Sequence, residues 1–127
     1  MREIEFRGKR PGNGEWVHGR GYLADSGTIG YPASIYSDRH GEWREICDET
    51  LGRYTGLRDK NGKKIFEGDI LEWGHYKWIC QVSWLEDTAR FLYITVDRRL
   101  LYPGEASACA VIGNIHDSPE LLQASDG

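Results

Sequence analysis

The second half of the chain shows the clearest alternation of hydrophobic and polar positions. Along residues 78–85 the apolar residues fall at every second position, which predicts a strand with one buried face. That face consists of Trp78, Cys80, Val82 and Trp84. Residues 91–96 form a β-branched and aromatic run, and residues 86–88 are short enough to join the two strands as an antiparallel hairpin. Residues 108–115 predict the last strand.

The first half has a weaker pattern. Residues 2–7 alternate charged and apolar side chains, which predicts a first strand, followed by a loop over residues 8–14. A second strand is expected over residues 16–23. Residues 28–52 contain short extended pieces interrupted by glycine and proline, with a turn at residues 38–41, and the pattern sets no boundaries there.

Two local signals complete the predicted elements. Asn61 and Gly62 form the strongest hairpin-turn signal in the chain, because both tolerate the positive φ that a tight turn requires. Near the end, Ser118 suits a helix cap and Pro119 the first helical position. With no long helical period elsewhere, we predict a mainly β protein of one domain over residues 1–127. Its architecture is a small barrel or sandwich of short antiparallel strands, with a short C-terminal helix and a frayed tail over residues 118–127.

Composition supports this class and narrows the functions. The 127 residues include 16 Gly, five Trp, seven Tyr and three Phe, and the net charge of −4 disfavours a strongly basic nucleic-acid binder. An apolar stretch of signal-peptide or membrane-span length is missing, which predicts neither secretion nor membrane insertion. Cys47, Cys80 and Cys109 are odd in number and far apart, so we expect free thiols in a reducing cytoplasm.

Three stretches resemble the YopX-like family of phage and prophage proteins. They are residues 2–9 with 16–19, residues 54–70, which carry the most specific motif, and residues 111–122. The resemblance implies a small, mainly β protein from a phage or prophage. It implies no activity and transfers no catalytic residue, because the family is largely uncharacterised.

Known chemical motifs find little support, and we predict no catalytic residue, no metal site and no cofactor. In a calcium loop starting at Asp59, Lys63 would stand where a ligand is needed, Lys64 where glycine is needed and Ile70 where glutamate is needed. The Cys and His residues lack paired zinc spacing, and no Gly-x-Ser-x-Gly elbow is present. An unrecognised hydrolase is therefore only the third functional hypothesis.

Two binding functions are better supported by residue type. Basic side chains near an aromatic residue or on a hairpin tip can hold a nucleic-acid backbone on a small β protein. The nucleic-acid candidates are Lys9, Arg10, Lys60, Lys63 and Lys64. Nucleic-acid binding is the second hypothesis, because solvated turns explain the same lysines.

The first hypothesis is a non-enzymatic protein-binding or self-associating module. Aromatic residues anchor protein interfaces, and Trp73, Tyr76 and Trp78 crowd one short segment. The expected partner is a bacterial host or phage protein, or a second copy of the chain in a homo-oligomer, which would also cover exposed strand edges.

Overall fold

The computed structural model of the chain describes residues 3–25, 32–74, 78–95 and 99–122. Strands make up 53% of it and helical turns 11%, so the mainly β prediction is confirmed. Within the described residues the strands form three antiparallel sheets and no closed barrel. The same residues include no helix with the length and apolar character that crossing a membrane requires.

The chain divides into two compact units, Met1–Tyr54 and Thr55–Gly127. The expectation of one domain over residues 1–127 stays a prediction. Strand β6 (Gly52–Arg58) begins in the first unit and ends in the second.

The first unit contains two groups of short strands. Strand β1 (Phe6–Lys9) pairs with β2 (Trp16–Gly19) and with the start of β6. A second sheet contains β3 (Gly21–Leu23), β4 (Ser34–Ser37) and β5 (Glu42–Glu45), with β4 in the middle. The core of this unit consists of Val17, Ala33, Ile35 and Ile46, with Phe6, Tyr22 and Leu51 packed against it.

Two predictions for this unit were wrong in position. The first strand is displaced from residues 2–7 to Phe6–Lys9, because Ile4 is exposed while Gly8 packs directly against Ile46. The expected strand over residues 16–23 is two strands in different sheets. The predicted turn at residues 38–41 is confirmed.

The second unit is built on a five-stranded sheet. Its strands in chain order are β8 (Asp69–Trp73), β9 (Trp78–Leu85), β10 (Arg90–Thr95), β11 (Leu100–Leu101) and β12 (Cys109–Asn114). In space the order is β11-β10-β9-β8-β12, so β11 and β12 are the edges. The hairpin formed by the second part of β6, from Thr55 onward, and β7 (Lys64–Phe66) belongs to this unit as well.

The core of the second unit lies on one face of that sheet. Cys80 and Val82, both on the predicted buried face of β9, are about 1% exposed, which confirms the alternation. The buried cluster consists of Ile65, Leu71, Cys80, Val82, Tyr93, Leu101, Ala106 and Cys109. The predicted C-terminal helix is a single 3-10 turn at Pro119–Leu122, and its tail lies outside the described residues.

Candidate functional site

A groove opens at the β11 end of the five-stranded sheet, and we call it the second-unit groove. It has a volume of about 460 Å³. Its lining consists of Trp73, Trp78, Arg99, Leu100, Leu101, Tyr102 and Glu105. The groove therefore contains two of the three predicted interface residues. The third, Tyr76, lies outside the described residues.

The two tryptophans form the floor of the groove. Trp73 ends β8 and Trp78 begins β9, and the ladder places them directly opposite each other. Their ring centroids are 5.1 Å apart with the planes at 52°, a tilted contact that aromatic pairs favour. The Arg99 guanidinium carbon lies 5.5 Å from the Trp78 ring centroid, which gives a cation–π contact. Both rings also pack against the buried core, so they support the fold as well as the groove.

Strand β11 forms the outer wall and presents apolar side chains to solvent. Leu100 is 60% exposed, and Tyr102, which follows the strand, is 77% exposed. The 3-10 turn Pro103–Ala108 begins after Tyr102 and is fixed by reciprocal hydrogen bonds. The Glu105 N–H donates to the Tyr102 carbonyl oxygen at 2.8 Å, and the Tyr102 N–H donates to the Glu105 carboxylate at 3.3 Å.

The register of β11 also leaves backbone groups at the edge of the sheet. The Thr95 N–H donates to the Arg99 carbonyl oxygen at 2.8 Å, so these two residues form a hydrogen-bonded pair. In an antiparallel ladder the next pair alternates, and Leu100 opposite Ile94 is therefore a non-hydrogen-bonded position. The N–H and C=O of Leu100 therefore point away from β10.

Sequence reasoning missed the wall of this groove. Arg99, Leu100 and Tyr102 lie more than 20 positions from the tryptophans in the sequence, and only strand pairing brings them together. Leu100 and Tyr102 carry no local motif. A leucine and a tyrosine beside a short strand are equally typical of a core, so no pattern distinguished them.

The lysines of the nucleic-acid hypothesis fall into two groups. Lys60, Lys63 and Lys64 lie on the β6–β7 hairpin of the second unit, and the first two are exposed. The only acid between Arg58 and Lys64 is Asp59, which is 6% exposed. The exposed charge of the hairpin tip is therefore basic.

Asp59 is a structural residue of the hairpin. Its carboxylate accepts hydrogen bonds from the N–H groups of Asn61 (2.9 Å), Lys63 (2.8 Å) and Val111 (2.9 Å). Burial by itself raises the pKa of Asp59, but the three backbone donors outweigh it and hold the pKa below its ordinary value. Lys60 adds a bond from its N–H to the Cys109 carbonyl oxygen at 2.9 Å. Asp59 and Lys60 thus bind two backbone groups of edge strand β12, the Val111 N–H and the Cys109 carbonyl oxygen.

Lys9 and Arg10 belong to the first unit. The Lys9 ammonium lies 5.6 Å from the Trp16 ring centroid, and the Arg7 guanidinium carbon lies 4.7 Å from it. The Nε atom of Arg10 is buried and has no hydrogen-bond partner among the described residues. Lys9 thus contacts an aromatic ring of its own unit and Arg10 is partly buried, whereas Lys60 and Lys63 are exposed.

Nucleophiles and metal ligands are poorly placed in the described part of the chain. Burial raises the pKa of Cys80 to about 12 and that of Cys109 to about 11, so both thiols stay protonated at neutral pH. Ser37 lies 2.8 Å from the His40 ring, but the serine is only 2% exposed and no described carboxylate contacts that ring. Nowhere among the described residues do three His, Cys, Asp or Glu side chains converge in a way that could hold a metal ion.

Comparisons with known proteins agree with this fold. A model of the family described as YopX protein matches residues 5–123. Among solved structures, the crystal structure of protein EF1440 from Enterococcus faecalis is similar, with a TM-score of 0.64 and 26% sequence identity. That match covers 97% of this chain and 100% of the other. No curated protein matches the chain. Since the family match spans nearly the whole sequence, the resemblance is confirmed and the chain belongs to the YopX family.

Proposed function

We propose that this protein is a non-enzymatic binding module that captures an extended segment of a bacterial or phage-encoded protein in the second-unit groove. The single observation that carries the proposal is the position of the groove beside β11, an edge strand that no further strand covers among the described residues. The Leu100 backbone groups point outward at that edge, and the aromatic floor lies next to them. An extended segment added to β11 would satisfy the Leu100 backbone and place alternate side chains into the groove.

The groove suits the side chains of such a segment in size and character. Its volume of about 460 Å³ is larger than one aromatic side chain and smaller than a folded element. Its walls are rich in Trp, Tyr and Leu, and a buried aromatic floor with a polar rim is typical of protein interfaces. Arg99 and Glu105 supply charges of both signs at the rim, which favours a segment with polar residues flanking a large apolar anchor.

A selection from a random peptide library displayed on yeast tests the proposal directly. The selected peptides should share one aromatic or large aliphatic residue within an extended stretch. Their dissociation constants are then measured by fluorescence anisotropy for the wild type and two groove variants, Leu100→Ala and Tyr102→Ala. These variants are preferable to changes at Trp73 or Trp78, because both tryptophans also pack in the core.

A matched control is available in the first unit. Trp43 is 48% exposed and does not line the groove. Tyr102→Ala should weaken peptide binding roughly tenfold, as expected for an aromatic anchor, while Trp43→Ala leaves it unchanged. Failure to enrich any peptide, or binding that only Trp43→Ala abolishes, would refute the assignment.

A second measurement, made with the same variants, distinguishes a second copy of the chain from a foreign partner. Analytical ultracentrifugation of the wild type over a range of concentrations reports self-association. A dimer that Tyr102→Ala disrupts would mean that the groove is filled by another copy of the chain. A monomer that still binds the selected peptides would support a foreign partner.

A second candidate function, nucleic-acid binding, rests on the basic tip of the β6–β7 hairpin. The Asp59 carboxylate there is committed to three backbone donors, so Lys60 and Lys63 face solvent without a neighbouring exposed acid in the hairpin. Binding of a single-stranded oligonucleotide should then weaken steeply with salt. Replacing either lysine by Ala should reduce the slope of log K against log salt by about 0.7. Lys9→Ala is the control, and an equal effect of all three substitutions would argue against this tip.

A further inference from the structure

Two strands of the first unit approach each other so closely that only glycine fits between them. A Cβ atom on Gly19, at the end of β2, would lie 1.7 Å from the Tyr36 carbonyl oxygen on β4. That distance is far inside van der Waals contact, so the backbones meet only because Gly19 has no side chain. Next to this crossing, between the same two strands and the following turn, lies a cavity of about 400 Å³, which we call the first-unit cavity.

The lining of the first-unit cavity is rich in hydrogen-bond donors. It includes Trp16, His18, Ser37, Arg39, His40 and Arg44. Arg39 has no ion-pair partner in the described part of the chain. Arg44 is bound through Nε and Nη2 to one carboxylate oxygen of Glu42, at 3.0 Å and 2.9 Å. That arrangement fixes the guanidinium and leaves Nη1 as a further donor.

His40 is held in place by the buried side chain of Ser37. The Ser37 hydroxyl oxygen accepts the backbone N–H of His40 at 3.3 Å and lies 2.8 Å from Nδ1 of the same residue. This contact at Nδ1 orients the ring, and Nε2 is the ring nitrogen that Ser37 does not engage.

We propose that the first-unit cavity binds a small phosphate-bearing molecule, with Arg39, Arg44 and His40 as the donors to the phosphate oxygens. Two guanidinium groups and an imidazole in one cavity match the charge-assisted bonds that phosphate forms. The volume of about 400 Å³ exceeds that of a free phosphate and falls in the range of small-molecule sites. Glu15, which also lines the cavity, can accept a ligand hydroxyl, so a sugar phosphate fits the whole lining.

Isothermal titration calorimetry with three probes tests the proposal on the full chain. The probes are ribose 5-phosphate, inorganic phosphate and ribose. We expect ribose 5-phosphate to bind and ribose not to bind. Inorganic phosphate binding as tightly as ribose 5-phosphate would identify the free anion as the source of the phosphate group, and weaker binding would identify the sugar phosphate.

Conservative substitutions connect any binding to the named donors. Arg39→Gln and His40→Gln should each weaken binding of ribose 5-phosphate about tenfold or more, because each removes one of the proposed donors to the phosphate oxygens. Arg20→Gln is the matched control, since Arg20 is an exposed arginine of the same unit that pairs with Asp38 outside the cavity. Absence of binding by both phosphate probes would overturn the proposal. An affinity that Arg39→Gln and His40→Gln leave unchanged would overturn it equally, and thermal denaturation checks that the variants are folded.

Discussion

The β6–β7 hairpin and the second-unit groove lie in the same unit and use their side chains in opposite ways. In the hairpin, Asp59 directs its carboxylate to three backbone N–H groups, and the Thr55 hydroxyl donates to the Ile65 carbonyl oxygen at 2.8 Å. In the groove, the side chains of Leu100 and Tyr102 are largely exposed. The hairpin is the most recognisable part of the sequence, yet its polar atoms serve the fold.

The difference teaches where to look for function in this family. A motif rich in turn residues is specific because a tight turn has strict backbone requirements, whatever the protein does. Exposed apolar residues beside a strand edge cost the fold little when they are changed, and they are therefore better candidates for a binding role. Variants of the two regions should therefore differ in their effects on stability.

The largest expected effect is the loss of the Asp59 carboxylate. Asp59→Ala leaves three backbone N–H groups without their partner, one of them on the edge strand β12, and should lower the free energy of unfolding by about 3 kcal/mol. Urea denaturation measures this. Asp117→Ala, which removes an exposed carboxylate that accepts a bond from the Asn114 side-chain amide at 3.1 Å, is the control and should cost less than about 1 kcal/mol. Equal costs for the two would show that the Asp59 bonds are not essential to the hairpin.

A smaller loss is expected at the turn itself. Gly62 has a φ of +83°, so Gly62→Ala forces an L-residue into the left-handed region at a cost of about 1 kcal/mol. Gly74→Ala is the matched control, because a Cβ there meets no atom within 4 Å and its φ is not in the left-handed region. The same denaturation measurement applies. If Gly62→Ala were as stable as Gly74→Ala, the turn would have to adopt another conformation in solution.

Acid should weaken the hairpin through the same carboxylate. The pKa of Asp59 lies below its ordinary value in the folded chain, so its contribution is complete above the unfolded pKa of roughly 4. The contribution is lost as the pH falls through the folded pKa. The stability difference between wild type and Asp59→Asn should therefore shrink as the pH is lowered below about 4. A difference that stays constant down to the lowest pH would contradict this assignment.

The smallest effect on stability is expected in the groove. Leu100→Ala and Tyr102→Ala remove exposed side chains and should change the free energy of unfolding by no more than about 0.5 kcal/mol each. If these variants also lose peptide binding, Leu100 and Tyr102 serve binding, whereas Asp59 serves the stability of the fold. A destabilisation as large as that of Asp59→Ala would instead assign the groove wall to the fold.

Local patterns were sufficient for much of the second unit. The strand predicted at 78–85 is β9, and the hairpin to the next strand forms as expected, with Phe91 opposite Trp84. Asn61 and Gly62 form the predicted turn. These features depend on alternation and turn chemistry, which short stretches of sequence encode.

Features that depend on residues far apart in the sequence were not predicted. Gly19 resembles a turn glycine in sequence, but its role is to let the Tyr36 backbone pass. The groove wall at Leu100 exists because β11 pairs with β10, a contact that no local pattern specifies. Trp73 was identified by residue type alone, and the sequence did not indicate that it also packs in the core, whereas the alternation had placed Trp78 on a buried face.

The bond between Asp59 and Val111 links residues 52 positions apart and has a consequence for the order of events during synthesis. A ribosome releases the hairpin well before it has made β12, so the turn can form while its carboxylate still lacks one of its three donors. The second unit can close only when the last strand emerges and docks against β8. A nascent chain stalled before that strand would expose the unpaired edge of β8, and this interval is when the protein is most open to mispairing with other chains.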